Sequence, residues 1–486
     1  MTKRPSLPDG FVVIVKQDCP TCQLIEPVLV QLADAAALAA VVTQDDPSFP
    51  DLSDAGTAAG CTFDEDLTIS YLWDIETVPT LLRIEDGEEA ERLVGWDRQR
   101  WEDLTGLPDL GPELPDWRPG CGSLSVDPMR ADELAGRFSA SGLRSRRVEF
   151  AELEDEFEAM WDRGWSDGLP LVPPTEARVA RMLAGTTRAP DEVVAVVPPD
   201  LVECTVEKVA VNAVMAGCLP EHLPVVLAAL EAACTREFNM HGLLATTFFS
   251  GPILIVNGPI RQRIGMNSGV NALGQGNRAN ATIGRALQLV VRNVGGGQPG
   301  AVDRATLGSP GKLGFCFAED EEGSPFTPLS VDRGLDAGVD AVTLFAGHGP
   351  TSIIDQRSRD PESLTRSFAA VLRANAHPKL PLKIDAVLVV SPEHGRIYRE
   401  AGWGREKLME RLGELLLLDS DELVQGAGGM AEGIPAAFAG MQLPKFREGG
   451  LLVCHAGGGA GLFSAVLGGW VNGEEGSDPV TVPIGS

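Results

Sequence analysis

The chain has 486 residues, 44% of them hydrophobic, and is long enough for about two to four domains with sizeable cores. It carries 69 acidic and 40 basic side chains, and the formal net charge of −29 argues against binding to nucleic acid or to anionic membranes. The sequence has no signal-peptide pattern and no apolar run of about 18 residues, and its nine cysteines are too few for a secreted disulfide scaffold. We therefore predict a cytoplasmic, multidomain protein that binds neither nucleic acid nor membrane.

The first motif along the chain is Cys19-Pro20-Thr21-Cys22, between a strand-like run over 11–16 and a helix-like run over 23–39. At a helix N-terminus, unpaired N–H groups stabilise a thiolate on the first cysteine. The second cysteine follows one turn later, close enough to close a disulfide and release a captured partner. The spacing predicts a redox-active dithiol formed by Cys19 and Cys22.

The rest of the first hundred residues alternates between strand and helix patterns. A short strand is expected at 41–42, followed by an exposed acidic insertion over 45–66. The runs 80–84 and 90–94 flank Glu85-Asp86-Gly87-Glu88 and predict a β-hairpin. A connector rich in proline and glycine is predicted from about 106 to 122.

Residues from about 8 to 105 resemble thioredoxin. The resemblance rests on the Cys-x-x-Cys motif, on Pro27 five residues after Cys22, and on Thr77-Val78-Pro79-Thr80. It implies a cis peptide bond before Pro79, which would pack against the disulfide, and backbone pairing of the preceding residue with substrate. Asp18 replaces the usual tryptophan, and Val13 replaces the usual buried acid. The resemblance thus implies an active dithiol rather than a general-purpose reductant.

We divide the chain into a thioredoxin-like domain (1–105), a connector (106–150), a candidate catalytic α/β domain (151–375) and a smaller α/β subdomain (376–486). The last would be an internal echo of the preceding domain, because 253–257 and 387–390 are both strand-like runs followed by a tight loop and a helix. The predicted fold class is α/β. Beyond residue 150, the stretches at 167–175 and 276–287 resemble an uncharacterised bacterial α/β family fused to thioredoxin-like domains, a resemblance that implies no activity.

A candidate anion-binding region follows in the α/β part. Glycine-rich backbone and a helix N-terminus favour an anion that arginine can clamp. The residues expected to bind a small anionic substrate are Asn267, Asn271, Asn277, Arg278, Arg285 and Lys312. The alternative is a tight turn supported by asparagine side chains. The sequence lacks a nucleotide-binding motif, and we predict no cofactor.

Four other side chains are candidates for direct chemistry. Cys121, in the connector, would reach Cys19 or carry electrons to the next domain, or is an incidental loop cysteine. Cys316 and Glu319 are a candidate thiol and acid/base partner, each with a structural alternative, and His241 is a candidate acid/base beside a loop. A metal bound by the remaining strand-end histidines is an open alternative without supporting spacing; these histidines are His348, His394 and His455.

Three functions fit these observations. The leading hypothesis is a redox enzyme in which Cys19 attacks an oxidised sulfur species and Cys22 resolves it, with re-reduction by a cellular thiol reductant or a thioredoxin reductase-like partner. The second is a lyase or hydrolase acting through His241, Glu319 or Cys316, with the first domain recycling or docking. The third is a non-catalytic binding or assembly protein, and a homo-oligomer is compatible with all three.

Overall fold

The computed structural model describes residues 4–53, 60–127, 155–377, 379–429 and 431–485, together with 130, 134, 143–146 and 148. The chain divides into two compact units. The first comprises Met1–Gly142 with Thr175–Ala180, and the second comprises Leu143–Pro174 with Arg181–Ser486. Most of the predicted connector over 106–150 therefore belongs to the first unit. The rest of that connector prediction, from 128 onward, falls largely outside the described residues.

The first unit is built on one five-stranded mixed sheet. The strands of the whole unit are β1 (Gly10–Val15), β2 (Leu38–Thr43), β3 (Gly60–Phe63), β4 (Thr77–Val78), β5 (Thr80–Glu85), β6 (Glu88–Val94), β7 (Trp96–Asp97), β8 (Trp117–Arg118) and β9 (Cys121–Gly122). Its helices are α1 (Pro20–Leu24), α2 (Glu26–Asp34), α3 (Thr68–Leu72) and α4 (Arg98–Thr105). The sheet order is β3-β2-β1-β5-β6. Strands β1, β2 and β3 are parallel to one another, and β5 is antiparallel to both of its neighbours, β1 and β6. The predicted hairpin is confirmed as β5 and β6.

The central strand and the following helices form the core of this unit. Four consecutive side chains of β1, from Val12 to Val15, are fully buried, as expected for a strand covered on both faces. The helix predicted over 23–39 is instead two helices that meet at Ile25. Pro27 has no N–H to donate to the carbonyl one turn earlier, so the first helix ends before it. The apolar side chains of α2, including Val28 and Leu32, still point into the core.

Two predicted loops turn out to carry sheet structure. The acidic insertion over 45–66 contains β3, which extends the main sheet at its edge while its side chains stay exposed. The predicted connector contributes β8, which pairs with β7, and β9, which pairs with β4. The Pro/Gly composition of 106–122 indicates irregular backbone, as found over most of this stretch, but does not reveal that two short pieces pair with distant strands.

The second unit contains a seven-stranded sheet with helices around it. The strands of the whole unit are β10 (Val193–Val197), β11 (Val202–Thr205), β12 (Gly251–Asn257), β13 (Phe315–Ala318), β14 (Ala341–Ile354), β15 (Ile384–Val390), β16 (Leu417–Asp419), β17 (Gln442–Pro444), β18 (Leu451–His455), β19 (Phe463–Val471) and β20 (Val480–Pro483). Its helices are α5 (Glu156–Asp162), α7 (Val206–Ala216), α8 (Leu223–Ala233), α9 (Met240–Ala245), α10 (Ile260–Arg263), α11 (Arg278–Asn293), α12 (Leu329–Asp332), α13 (Pro361–Ala374), α14 (Pro392–Glu400), α15 (Arg405–Leu415) and α16 (Ser420–Leu423). Helix α6 (Glu176–Leu183) crosses the division between the units.

Along its six main strands, this sheet has the same pattern of parallel and antiparallel neighbours from either edge. Its order is β13-β12-β14-β19-β15-β18, and β20 pairs with β14. Strands β12 and β13 are parallel, as are β15 and β18, while β14 and β19 run antiparallel to their neighbours. Side chains from all six of these strands meet in one buried cluster. The ranges 151–375 and 376–486 therefore share one sheet and one core, and the boundary predicted between them does not separate two domains.

The fold class is α/β, with helices and mixed sheets in both units. None of the helices in the described ranges combines the length and apolar character needed to span a membrane.

Candidate functional site

The dithiol lies where β1 gives way to α1. Cys19 is the N-cap residue of α1, and its Sγ accepts a hydrogen bond from the backbone N–H of Cys22 at 3.3 Å. The loop before it is held by Asp45, whose two carboxylate oxygens accept the N–H groups of Gln17 and Asp18 at 2.7 and 2.8 Å. Pro20 occupies the first turn, where a missing N–H costs nothing. The Cys19 sulfur therefore has a defined position at the end of the central strand.

The two sulfurs have opposite acidities. A hydrogen bond from the Cys22 thiol is the largest cause that lowers the pKa of Cys19, to about 5, and it outweighs the opposing effect of burial. Burial raises the pKa of Cys22 well above the ordinary range of a thiol. Helix α1 has only five residues, so the neighbouring thiol rather than a long helix dipole stabilises the Cys19 thiolate. The pair is thus a nucleophilic thiolate beside a protonated thiol.

The Pro79 loop forms another wall of this site. The peptide bond between Val78 and Pro79 is cis, in line with what the resemblance implies. The Val78 carbonyl oxygen lies 3.6 Å from the Cys19 sulfur and accepts its hydrogen bond when the thiol is protonated. The Pro79 carbonyl oxygen accepts the N–H of Gly95 at 2.8 Å. This hydrogen bond fixes the Pro79 loop to the residue between β6 and β7.

A third cysteine completes the cluster. Cys121 is opposite Val78 in the antiparallel pair of β9 and β4. A hydrogen bond between the Cys121 and Cys19 thiols further lowers the pKa of Cys19, whereas burial and that hydrogen bond raise the pKa of Cys121. All three sulfurs are free thiols in this structure. The structure thus brings Cys19, Cys22 and Cys121 together at one site.

The asparagines of the predicted anion site support turns. The Asn267 side chain accepts the N–H of Gly269 and donates to the Val270 carbonyl. Asn271 adopts a positive φ of 61° and donates to the Gln275 carbonyl. Asn277 caps α11 by accepting the N–H of Asn280 at 3.0 Å. These contacts match the turn alternative.

The cations of that site have partners within the second unit. Arg278 donates to the Gly217 carbonyl at 2.9 Å. Arg285 makes a two-pronged ion pair with Asp167, both contacts at 2.8 Å, and lowers the pKa of that carboxyl. Lys312 pairs with Asp303 at 2.7 Å. The Arg285 pair fixes the extended stretch after α5, which gives the unusual sequence over 165–174 a structural reason.

Glu319 lies at the carboxyl ends of two parallel strands. Its Oε2 accepts the Asn257 amide at 2.6 Å and the Leu329 N–H at 2.7 Å. It is fully buried, and burial raises its pKa to about 7. Cys316 points into the core, where burial raises its pKa far above the usual range. His241 is exposed in the first turn of α9. These three candidates lie in different environments rather than in one catalytic cluster.

The three histidines expected at strand ends lie in different elements: His348 is inside β14, so that prediction was wrong for it, whereas His394 is in α14 just after β15 and His455 ends β18. His348 lies against the Phe248 and Phe249 rings. His394 shares a hydrogen bond of 2.7 Å with the Ser464 hydroxyl, and Nδ1 of His455 lies 3.1 Å from the Asp320 carboxylate. Among the described residues, no group of three histidine, cysteine or acidic side chains is arranged to hold a metal ion.

Some functional contacts escaped sequence reasoning. The Thr21 hydroxyl donates to the Pro119 carbonyl at 2.7 Å and thereby ties the dithiol helix to the segment that carries Cys121. Arg261 is buried, and its guanidinium pairs with Glu321 and Glu322 at 3.1 and 3.0 Å. The position of Arg261 just after a buried strand could have indicated its buried ion pairs. Nothing in the spacing of Thr21 and Pro119 indicated that they are in contact.

A surface pocket of about 460 Å³ in the second unit is separate from all these candidates. It is lined mainly by apolar and small residues; of its charged residues, Arg263 and Asp340 pair at 2.6 Å, and the third is Glu221.

The comparisons with known proteins add no family. No protein-family model matches the chain, and no curated protein matches it. The chemistry of the site must therefore be argued from its geometry.

Proposed function

We propose that this protein is a thiol–disulfide oxidoreductase, with Cys19 as the attacking sulfur and Cys22 as the resolving sulfur. The observation that carries the proposal is the geometry of the pair: Cys19 caps α1, and its Sγ accepts the Cys22 N–H at 3.3 Å. The hydrogen bond from the Cys22 thiol lowers the pKa of Cys19 to about 5, whereas burial raises the pKa of Cys22. A thiolate at physiological pH beside a protonated thiol suits attack on a disulfide followed by resolution.

We also infer a thioredoxin-like fold for the first unit. Support comes from the sheet order β3-β2-β1-β5-β6, from the dithiol at the carboxyl end of β1, and from the Val78 carbonyl oxygen, just before Pro79, beside the Cys19 sulfur. These features occur together around the sulfurs on which the proposed function depends.

The proposed reaction conserves atoms and electrons. The Cys19 thiolate attacks one sulfur of a substrate disulfide, the substrate S–S bond breaks, and one substrate thiolate leaves. Cys22 then attacks the Cys19 sulfur, its proton passes to the second departing substrate thiolate, and a Cys19–Cys22 disulfide remains. Two electrons have moved from the dithiol to the substrate. A cellular thiol reductant or a thioredoxin reductase-like partner would return them.

The anionic character expected of the substrate is not part of this proposal, because Arg285 and Lys312 are held in ion pairs. A second candidate function, acid–base catalysis in the second unit, is supported by one observation, the pKa of about 7 of Glu319. The two functions differ in what they require of the dithiol. A Cys19→Ser/Cys22→Ser double variant that keeps full activity on a substrate of the second unit, with added reductant, would favour the acid–base function.

The direct test is reduction of hydroxyethyl disulfide by glutathione in the presence of the enzyme. We expect Cys19→Ser to abolish turnover, because no other sulfur in the site has a lowered pKa. Cys61→Ser is the matched control, since Cys61 is an exposed thiol of the same unit, and it should keep wild-type turnover. Equal turnover by the Cys19→Ser variant and the wild type would refute the proposal.

A further inference from the structure

A short piece of the first unit lies directly on the dithiol. We call residues 119–123 the Cys121 segment. Its strand β9 pairs with β4, so that Cys121 faces Val78 and Gly122 faces Thr77. The pairing extends by one more contact, from the Ser123 N–H to the Glu76 carbonyl at 3.0 Å. The segment thus forms a small antiparallel ribbon with the residues just before Pro79.

The segment is also fastened on its other side. The Thr21 hydroxyl, between the two cysteines of the dithiol, donates to the Pro119 carbonyl at 2.7 Å. The Cys19 side chain is 0% exposed with the segment in place. In this conformation a disulfide in solution therefore cannot contact the Cys19 sulfur.

Gly120 is what allows this close approach. A Cβ built at Gly120 would lie 2.4 Å from the Thr77 side chain and 2.7 Å from the Val78 carbonyl oxygen. A Cβ built at Gly122, two residues away in the same segment, would meet nothing within 4 Å. The two glycines therefore offer a matched pair of substitutions, of which only the first disturbs the contact.

We infer that Cys121 is a third exchanging thiol, which forms a disulfide with Cys19 within the chain and must move aside before Cys19 reacts with an external disulfide. This inference rests on the proposed function. The Cys121 segment would occupy the place of an extended substrate strand, and the site would accept a cysteine that lies in extended polypeptide between small residues. Hydrogen bonds to β4, to the Glu76 carbonyl and to Thr21, and one from the Gln44 amide to the Ser123 hydroxyl, hold the segment there.

The exchange step is balanced without an added oxidant. Starting from the Cys19–Cys22 disulfide, the Cys121 sulfur gives up its proton and attacks the sulfur of Cys19. The Cys19–Cys22 bond breaks, the Cys19–Cys121 bond forms, and the Cys22 sulfur leaves and takes up a proton. The reverse step restores the starting disulfide. Cys22 and Cys121 thus compete for Cys19, and removal of Cys22 should leave Cys121 as the partner.

The test uses full-length Cys22→Ser protein treated with oxidised glutathione, acid-quenched and digested with Asp-N protease. Cleavage before Asp18 and Asp34, and before Asp116 and Asp127, puts Cys19 and Cys121 on separate peptides. We expect the Cys19–Cys121 linked pair as the main product. Adding Gly120→Ala should reduce it several-fold in favour of a glutathione adduct on Cys19, whereas adding Gly122→Ala should leave it unchanged.

A glutathione adduct on Cys19 with a free Cys121 thiol in the Cys22→Ser protein would overturn the inference. The wild-type protein separates this failure from failure of the proposed function. A Cys19–Cys22 disulfide in the wild type, with no Cys19–Cys121 disulfide in the Cys22→Ser protein, would overturn the inference alone. The absence of the first disulfide from the wild type and of the second from the variant would overturn both. Adding Cys121→Ser to the Cys22→Ser protein tests the inference independently of Gly120, because it keeps the strand and should leave only the glutathione adduct on Cys19.

Discussion

The rate at which Cys19 reacts with iodoacetamide should be nearly independent of pH between about 6 and 8. Its pKa of about 5 contrasts with 9.0 for an ordinary thiol. At pH 7 roughly 99% of Cys19 is therefore thiolate, against about 1% of an ordinary thiol. Once the thiolate fraction is saturated, raising the pH adds no further nucleophile, and the rate profile becomes flat.

The size of the rate at one pH would not reveal this ionisation. Cys19 gains about a hundredfold in thiolate at pH 7, but a thiolate of lower pKa is a weaker nucleophile. With a Brønsted slope of about 0.5, a pKa lower by about four units slows each thiolate roughly a hundredfold. The two effects cancel near pH 7. The slope of the rate against pH is therefore the informative quantity, because coverage by the Cys121 segment scales every point alike.

The assay follows alkylation of the reduced protein by mass spectrometry of Asp-N peptides. Cys61 lies on a separate peptide and serves as the internal reference, since partial desolvation of its otherwise exposed side chain raises its pKa above the ordinary 9.0. Its rate should rise about tenfold for each pH unit over the same range. If the rate at Cys19 rises as steeply as that at Cys61, Cys19 is an ordinary thiol and the reasoning from its environment is wrong.

Replacing Cys22 by alanine removes the largest cause of the lowered Cys19 pKa, so the ultraviolet thiolate absorbance of the reduced variant should titrate clearly above pH 5. Glu319→Gln should remove a pH dependence of stability. The folded-state pKa, about 7, exceeds the ordinary 4.5, so the unfolded chain ionises first and the wild type loses about 3 kcal/mol as the pH rises from 4.5 to 7. Hydrogen exchange of the β12 and β13 peptides should show that loss in the wild type only. Arg285→Ala leaves the carboxylate of a largely buried ion pair without its partner, and hydrogen exchange should show a loss of stability of about 3–5 kcal/mol.

Each of these variants has a control and a contradicting result. Cys61→Ala should leave the Cys19 titration unchanged, and a Cys22→Ala protein that still titrates near pH 5 would contradict the assigned cause. Equal pH dependence in the wild type and Glu319→Gln would show that this carboxyl is not the titrating group. Arg373 pairs with an exposed glutamate at 3.7 Å, so Arg373→Ala should cost less than about 1 kcal/mol. An equal loss in both arginine variants would contradict the importance of burial.

Local patterns in the sequence predicted the elements whose determinants are themselves local. The hairpin of β5 and β6 follows from Asp86 and Gly87, which both adopt the positive φ that the turn requires. The dithiol was placed correctly at the strand-to-helix junction. The α/β class followed from the alternation of strand and helix patterns. In each case a few neighbouring residues decide the outcome.

Contacts between distant residues could not be predicted in this way. The composition of 106–122 predicted a connector, yet Gly120 and Cys121 lie on the dithiol because β9 pairs with a strand more than forty residues earlier. The cations Arg285 and Lys312 suggested an anion site, but carboxylates elsewhere in the chain neutralise them. Residue type indicates which interaction a side chain can make, whereas the partner is decided by tertiary structure.

The central claim is that Cys19 and Cys22 form a reversible redox pair. The most direct measurement is disulfide mapping by mass spectrometry on wild-type protein equilibrated at a series of thiol/disulfide potentials. The account predicts a Cys19–Cys22 disulfide that appears and disappears reversibly within the range set by cellular glutathione and thioredoxin. If Cys19 stays unpaired with Cys22 throughout that range while the protein remains folded, the pair is not a redox centre and the proposed function is wrong.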